Sequence, residues 1–226
     1  RINLHLENFN FNEAAKAIYE FTWSDFCDWY IEMAKTSFNE KNESYSKRVK
    51  EVSKYVLRNI LILLHPYAPF VTEEIWSKIK KQSDSDIIVT SWPNVEKKWI
   101  NKSSEEEMDI LKKIISSVRG IRSQMNVPPN KFCNMVVQCN TEQNSILNSY
   151  SLIIKSLAKI DKIEMTENAK KPAQSATAIV DNMEIFIPLQ GIIDFDLEKK
   201  RLQKRINELN MHLSNVNNKL QNEDFL

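Results

Sequence analysis

Two glycines, Gly120 and Gly191, are all that this chain of 226 residues contains. Loops that cradle phosphate with successive backbone N–H groups are built from glycines set close together, because only a residue without a Cβ accepts positive φ and close approach freely. Loops of the Rossmann or Walker kind therefore cannot be made here, which argues against a nucleotide-binding α/β enzyme. With 42% apolar and 27% charged residues the composition is that of an ordinary soluble globular protein. No apolar run approaches the ~18 residues that a bilayer span needs, so no membrane partner is expected.

Lys and Arg number 31 against 30 Asp and Glu, a net charge of +1, so any affinity for a polyanion has to be local. The three cysteines, Cys27, Cys133 and Cys139, are odd in number and form no CxxC pair, which fits reduced thiols in a cytoplasmic protein. The chain opens Arg1-Ile2-Asn3-Leu4 with no initiator Met and no basic-then-apolar signal, and reads as a piece of a longer protein.

Helical periodicity dominates the first half. From an Asn cap at Asn12 the stripe Ile18, Thr22, Phe26, Trp29 and Met33, widened by Phe21, Cys27 and Tyr30, predicts a long amphipathic helix. After the polar stretch from Asn39 to Ser46, a second pattern runs through Val49, Val52, Val56, Ile60 and Leu63 until His65-Pro66 ends it. Its last turns, Ile60 to Leu64, are apolar all round and predict burial inside a bundle. A third helix begins around Pro69 to Thr72, with Glu73 and Glu74 in its first turn and Ile75, Trp76 and Ile79 on its apolar face. A loop with the β-like run Ile87-Ile88-Val89 and Trp92-Pro93 leads to a fourth, with Ser103 or Ser104 as N-cap, Glu105 to Glu107 behind, and the stripe Met108, Leu111, Ile115, Val118.

At Pro128-Pro129 the period changes from 3.6 to 2. Phe132 to Cys139 and Ile160 to Met165 read as strands, Ile146 to Leu157 as helix, and Ala176 to Val180 with Met183 to Ile187 as a hairpin turning on Asp181-Asn182. Beyond this, Phe195, Leu202, Ile206, Leu209, Leu213, Val216 and Leu220 keep the three-and-four spacing of a coiled-coil seam, broken only at Lys199. One helix cannot bury such a seam, so the end at Phe225-Leu226 reads as a truncated hairpin whose return arm is missing. The fold expected is mainly α: a helical bundle over 1–127, a small α/β module over 128–193, and a coiled-coil arm over 194–226.

No catalytic or metal site is predicted. His5, His65 and His212 are far apart, with no HxxxH or HExxH spacing, no Cys/His cluster and no GxSxG. His65, before a proline at the end of an apolar helix, is read as a structural terminal residue. Asp25, Asp28 and Glu32 share one helix face and admit a carboxylate pair, but read better as a solvated acidic face.

Two stretches favour a nucleic-acid partner. Between Asp109 and Glu142 there is no acid, while Lys112, Lys113, Arg119, Arg122 and Lys131 contribute +5. Lys199, Lys200, Arg201, Lys204 and Arg205 put five cations in seven residues of the seam helix, unless these form a solvated face answered by Asp194, Asp196, Glu198 and Glu208. Trp23, Trp29 and Tyr30 supply more aromatic surface than one stripe needs, either to stack on unpaired bases or to fill the bundle core. Gly120 within a helix implies a close approach by a ligand or another backbone, helix packing being the simpler cause.

The segments Tyr19-Glu20-Phe21-Thr22-Trp23-Ser24-Asp25-Phe26-Cys27-Asp28-Trp29-Tyr30 and Leu63-Leu64-His65-Pro66-Tyr67-Ala68-Pro69-Phe70-Val71-Thr72-Glu73-Glu74-Ile75-Trp76 resemble the anticodon-binding helical domain of class I aminoacyl-tRNA synthetases, the first pointing to the valyl family. Val118-Arg119-Gly120-Ile121-Arg122-Ser123-Gln124-Met125-Asn126-Val127-Pro128-Pro129 is similar to that family's Ile-Arg-x-Ile-Arg-x-Glu-x-x-Ile-x-Pro, departing at Gln124. Ile187-Pro188-Leu189-Gln190-Gly191-Ile192-Ile193-Asp194 resembles the approach to its C-terminal coiled-coil arm.

The resemblance implies a monomeric parent that joins valine to tRNA-Val using ATP and magnesium, with catalytic and editing domains upstream. The adenylate-forming signatures HIGH and KMSKS are absent, so this piece alone would be inactive and hold no cofactor. The bundle would read the anticodon loop through Trp23, Trp29, Arg119 and Arg122. The arm would lean on the tRNA elbow through Lys199, Lys200, Arg201, Lys204 and Arg205, with Lys131 at the junction. Two other readings stay open: a protein-interaction scaffold using the bundle and heptad arm, and the equivalent domain of an isoleucyl or leucyl relative.

Overall fold

A computed structural model describes residues 1–38 and 43–221. Of the polar link predicted from Asn39 to Ser46, residues 39–42 lie outside them, as do the terminal Phe225-Leu226, while 43–46 already belong to a helix. The chain divides into two compact units, Arg1–Lys112 and Lys113–Leu226. The division falls inside one long helix, Lys102–Gln124.

The first unit is helical. A short helix not foreseen from the sequence, α1 (Ile2–Glu7), packs on α2 (Phe11–Glu20), whose N-cap is Asn10, two residues before the predicted Asn12. The helix then changes hydrogen-bonding type: Phe21–Ile31 is π-helical, and α3 (Glu32–Phe38) resumes the ordinary ladder. The stripe nonetheless faces inward, with Ile18, Phe26 and Met33 buried and Thr22 and Trp29 half-buried. Next come α4 (Glu43–Leu64) and α5 (Pro69–Ile79). Proline suits the first position of α5, where its missing N–H would have had no helical partner.

Of the all-apolar run at the end of α4, Ile60 and Leu61 are buried and Ile62 to Leu64 half-buried. Leu61 meets Trp76 and Ile87 in a core cluster flanked by Leu57, Ile62 and Ile79. Trp76 is fully buried and satisfies its indole N–H on the Ser85 carbonyl at 3.0 Å. Above its ring sits the Arg58 guanidinium, 4.2 Å from the centroid, which also pairs with Asp84 at 2.7 Å. His65 lies 2.7 Å from the Thr72 hydroxyl, a structural link between α4 and α5 as its position before proline predicts. Ile87–Val89 is a single 3₁₀ turn, not a strand, because only Ile87 finds a core to enter and no neighbouring strand pairs with it.

Helix α6 (Lys102–Gln124) is capped by Asn101, whose side chain accepts from the Ser104 N–H at 3.2 Å, rather than by Ser103 or Ser104. The second unit, which takes its C-terminal half, holds a four-stranded sheet. Its strands are β1 (Cys133–Gln138), β2 (Ile160–Thr166), β3 (Ser175–Val180) and β4 (Met183–Pro188), in the order β2-β1-β4-β3. Parallel neighbours need a crossover, and the predicted helix between β1 and β2 supplies it as two pieces, α7 (Thr141–Ser149) and α8 (Ser151–Ala158). The β3–β4 hairpin pairs Val180 with Met183 around Asp181-Asn182, where Asp181 alone takes positive φ (51°). Gly191, at φ 74°, turns the chain after β4.

Then comes α9 (Phe195–Leu220), whose cap Asp194 accepts from the N–H groups of Asp196 and Leu197. The seam residues Leu202, Ile206, Leu209, Leu213, Val216 and Leu220 are all exposed. The fold is thus mainly α, with a helical bundle, a small α/β module and a long C-terminal helix.

Candidate nucleic-acid interface

In the first unit the aromatics sort by face. Trp23 is 58% exposed and its ring lies parallel to that of Tyr19, itself 64% exposed, at 6.3 Å and 6°. One face of such a pair is open to a further planar group. A second parallel pair, Phe26 and Tyr30 at 5.7 Å, turns inward, with Phe26 buried and Tyr30 donating to the Val49 carbonyl at 3.3 Å. Trp29 is half-buried. Tyr19 was not singled out from the sequence, although its four-residue separation from Trp23 is the signal for a shared helix face. Asp25 and Asp28 are exposed, Asp25 pairing with Lys112 at 3.4 Å and Glu32 with Lys35, as a solvated acidic face requires.

In the second unit the two arginines of α6 have structural partners. Arg122 is only 8% exposed. Its Nη1 donates to Cys133 Sγ at 3.1 Å, and its Nη2 donates to the carbonyls of Lys131 at 2.8 Å and Pro128 at 3.3 Å. It fastens the proline turn to the start of β1 and has no surface to offer a ligand in this conformation. Burial pushes the Cys133 thiol above its ordinary range, with the Arg122 charge pulling the other way. Arg119 is exposed, and its Nε donates to the Leu157 carbonyl in the last turn of α8 at 2.9 Å. Lys113 reaches Asp181 at 2.8 Å, and in the first unit Lys112 meets Asp109 as well as Asp25. Much of the local +5 is therefore answered by acids distant in sequence. Lys131 remains on the surface.

On α9 the cations separate likewise. Lys199, Lys200 and Lys204 are exposed and, among the described residues, enter no ion pair. Arg205 pairs with Glu208 at 3.3 Å. Arg201 grips Glu198 with two hydrogen bonds, 2.8 and 2.5 Å, and donates a third to the Gln124 carbonyl at 2.9 Å. That hydrogen bonding holds the Glu198 carboxyl below the usual carboxylate range, against the opposing pull of burial. The structure thus leaves a short row of unpaired lysines on one arm and an open aromatic pair on the bundle. Among the described residues no group of His, Cys, Asp and Glu side chains is placed to hold a metal ion, and no helix is long and apolar enough to cross a membrane.

A helical bundle bearing exposed stacked aromatics, followed by a basic helix, is the outline of an RNA-binding accessory domain. Residues 1–137 match the family model described as the anticodon-binding domain of tRNA ligase, and the chain belongs to that family. The relatives it resembles are valine–tRNA ligases. It is 36% identical to that of Geobacillus kaustophilus over 97% of this chain, 34% to that of Enterococcus faecalis over its full length, and 38% to that of Syntrophotalea carbinolica over 98%. The chain spans about a quarter of the length of these relatives, covering 25%, 26% and 25% of them respectively.

Proposed function

We propose that this chain is the tRNA-binding, non-catalytic part of a cytoplasmic valine–tRNA ligase. In this reading the bundle reads the anticodon loop of tRNA-Val, and α9 positions the tRNA at its elbow. Upstream catalytic and editing domains of the same monomeric protein attach valine, with ATP and magnesium. The observation that carries the reading is the set of exposed lysines, Lys199, Lys200 and Lys204, on a helix open to solvent within a chain of the anticodon-binding family. Cations without protein partners release counterions when they meet phosphate, which drives binding and makes it salt-dependent.

Lys131 and Arg205 extend that surface, and Trp23, backed by Tyr19, is the stacking residue, with the half-buried Trp29 a lesser contributor. Arg119, Arg122 and Arg201 act chiefly by holding the scaffold that presents these groups. Unpaired anticodon bases can stack on aromatic faces and be read along their edges, whereas arm contacts to phosphate position without reading sequence. The test is fluorescence anisotropy of the chain with tRNA-Val, tRNA-Val carrying an altered anticodon, and an unrelated tRNA across a salt series. Preference for the native anticodon supports base reading; equal, salt-sensitive binding leaves only positioning. The exposed seam favours a second reading, a scaffold that pairs with another helix. Absence of tRNA binding at low salt, with salt-insensitive capture of a helical partner, would select it.

A further inference from the structure

Among the described residues of α9 one alone is buried, and it is a carboxylate. Glu198 is 8% exposed, while its neighbours Leu197, Lys199 and Lys200 face solvent. Burying a carboxylate costs stability unless it is hydrogen-bonded, and here Arg201 donates to both of its oxygens. Arg201 then spends its remaining Nη2 bond on the Gln124 carbonyl, one of the terminal carbonyls of α6 that have no partner within the helix. A cation there is also favoured by the helix dipole. Gln124 at the end of α6 and the Glu198–Arg201 pair of α9, far apart in sequence, are thus joined by a directional network.

The first turns of α9 also border an apolar cleft of ≈ 360 Å³ lined by Met125, Leu189, Ile193, Phe195 and Leu202. To such non-directional contacts the hydrogen bonds of Arg201 add fixed geometry.

We propose that Glu198 and Arg201 form a pin that fixes the direction of α9 from the end of α6, so that an acidic residue is required for the basic arm to grip RNA. Arg201 is then a positioning residue, although it lies within the basic run. The proposal rests on the reading of α9 as an RNA-positioning arm, and one readout is independent of it. Losing the pin lets the lysines sample directions that do not meet the phosphates, which lowers their effective concentration at the RNA.

Two substitutions separate the pin from a phosphate contact, because neither removes positive charge. Arg201→Lys keeps the charge but cannot hold a carboxylate bidentately and a carbonyl at once. Glu198→Ala makes the arm more basic and raises helix propensity on an exposed helix, so both variants should fold. In a background with Cys27 replaced by serine, spin labels at Ser123 and Asn210 report the distance between α6 and α9. The expected result is a broadened distance distribution in both variants and an affinity for tRNA-Val about tenfold weaker, with the log–log salt slope unchanged. The double variant should be no worse than either single one.

Unchanged distance distributions would overturn the pin. So would tighter tRNA binding by Glu198→Ala together with unaltered binding by Arg201→Lys, the pattern of simple electrostatics. If neither parent nor variants bind tRNA, the RNA reading fails, and the distance distributions alone decide whether the pin exists.

Discussion

Gly120 shows how a single residue misleads when read alone. A glycine inside a helix implied close approach by another backbone or a ligand, yet nothing lies within 4 Å of where its Cβ would stand. Nor does the backbone there take positive φ. Gly120→Ala should therefore stabilise the protein by about 0.5–1 kcal/mol through helix propensity, read as a raised urea midpoint at constant slope. A lowered midpoint would reveal a neighbour that the geometry does not show. Arg122 carries the opposite lesson. Its spacing from Arg119 was legible, but its burial was not, because the groups that enclose it, Cys133 and the Pro128 and Lys131 carbonyls, are brought in by the proline turn. Arg122→Met should cost about 2–4 kcal/mol, since it strands buried hydrogen-bonding partners of a charged group. The check is denaturant unfolding of the variant; a change in RNA affinity with stability intact would instead make Arg122 a ligand contact.

At the scale of elements, legibility followed the range of the interactions that decide each one. The stripe through Ile18, Phe26 and Met33, the proline stop after His65, and the hairpin at Asp181-Asn182 depend on neighbours within a few positions and were read correctly. The π-helical stretch Phe21–Ile31 keeps Phe26 buried and Thr22, Trp29 and Tyr30 half-buried, but it exposes Phe21 and Cys27, which the 3.6-residue period had placed on the widened stripe. Ile87–Val89 looked like a strand because β-branched residues favour one, but a strand exists only where a partner edge is available. The α9 seam was legible, and so was its basic run, but not the division of that run into solvent-facing lysines and a committed Arg201. That division has a pH signature. The folded-state pKa of Glu198 lies below its ordinary value of 4.5, so the stabilisation from its ionised form is complete above pH 4.5 and is lost as the pH falls through the lower folded value. The distance between spin labels on α6 and α9 should stay narrow from neutral pH down to about pH 5 and broaden only in more acid solution. Broadening near neutral pH would contradict this assignment.

For the molecule as a whole, a net charge of +1 conceals the distribution that matters. Lys112 and Lys113, which made the middle of the chain look basic, are answered by Asp25 and Asp181, whereas Lys199, Lys200 and Lys204 keep their charge exposed. The stacked pair Tyr19–Trp23 belongs to one compact unit and these lysines to the other, so the proposed function puts base stacking and phosphate neutralisation on separate parts of the chain. Under the proposed function they should be separable by mutation. Trp23→Ala removes an exposed ring, spares the core, and should weaken binding to tRNA-Val by about 1–3 kcal/mol while leaving the salt slope unchanged. Replacing Lys199, Lys200 and Lys204 together by glutamine should reduce the magnitude of the log–log salt slope by about 2–3 and keep whatever preference the parent shows for the native anticodon. Anisotropy titrations of the two variants against native and anticodon-altered tRNA-Val measure both quantities at once. A tryptophan variant with an altered slope, or a lysine variant that loses anticodon preference, would mean that the two surfaces act as one, and the division of labour assigned to bundle and arm would fall.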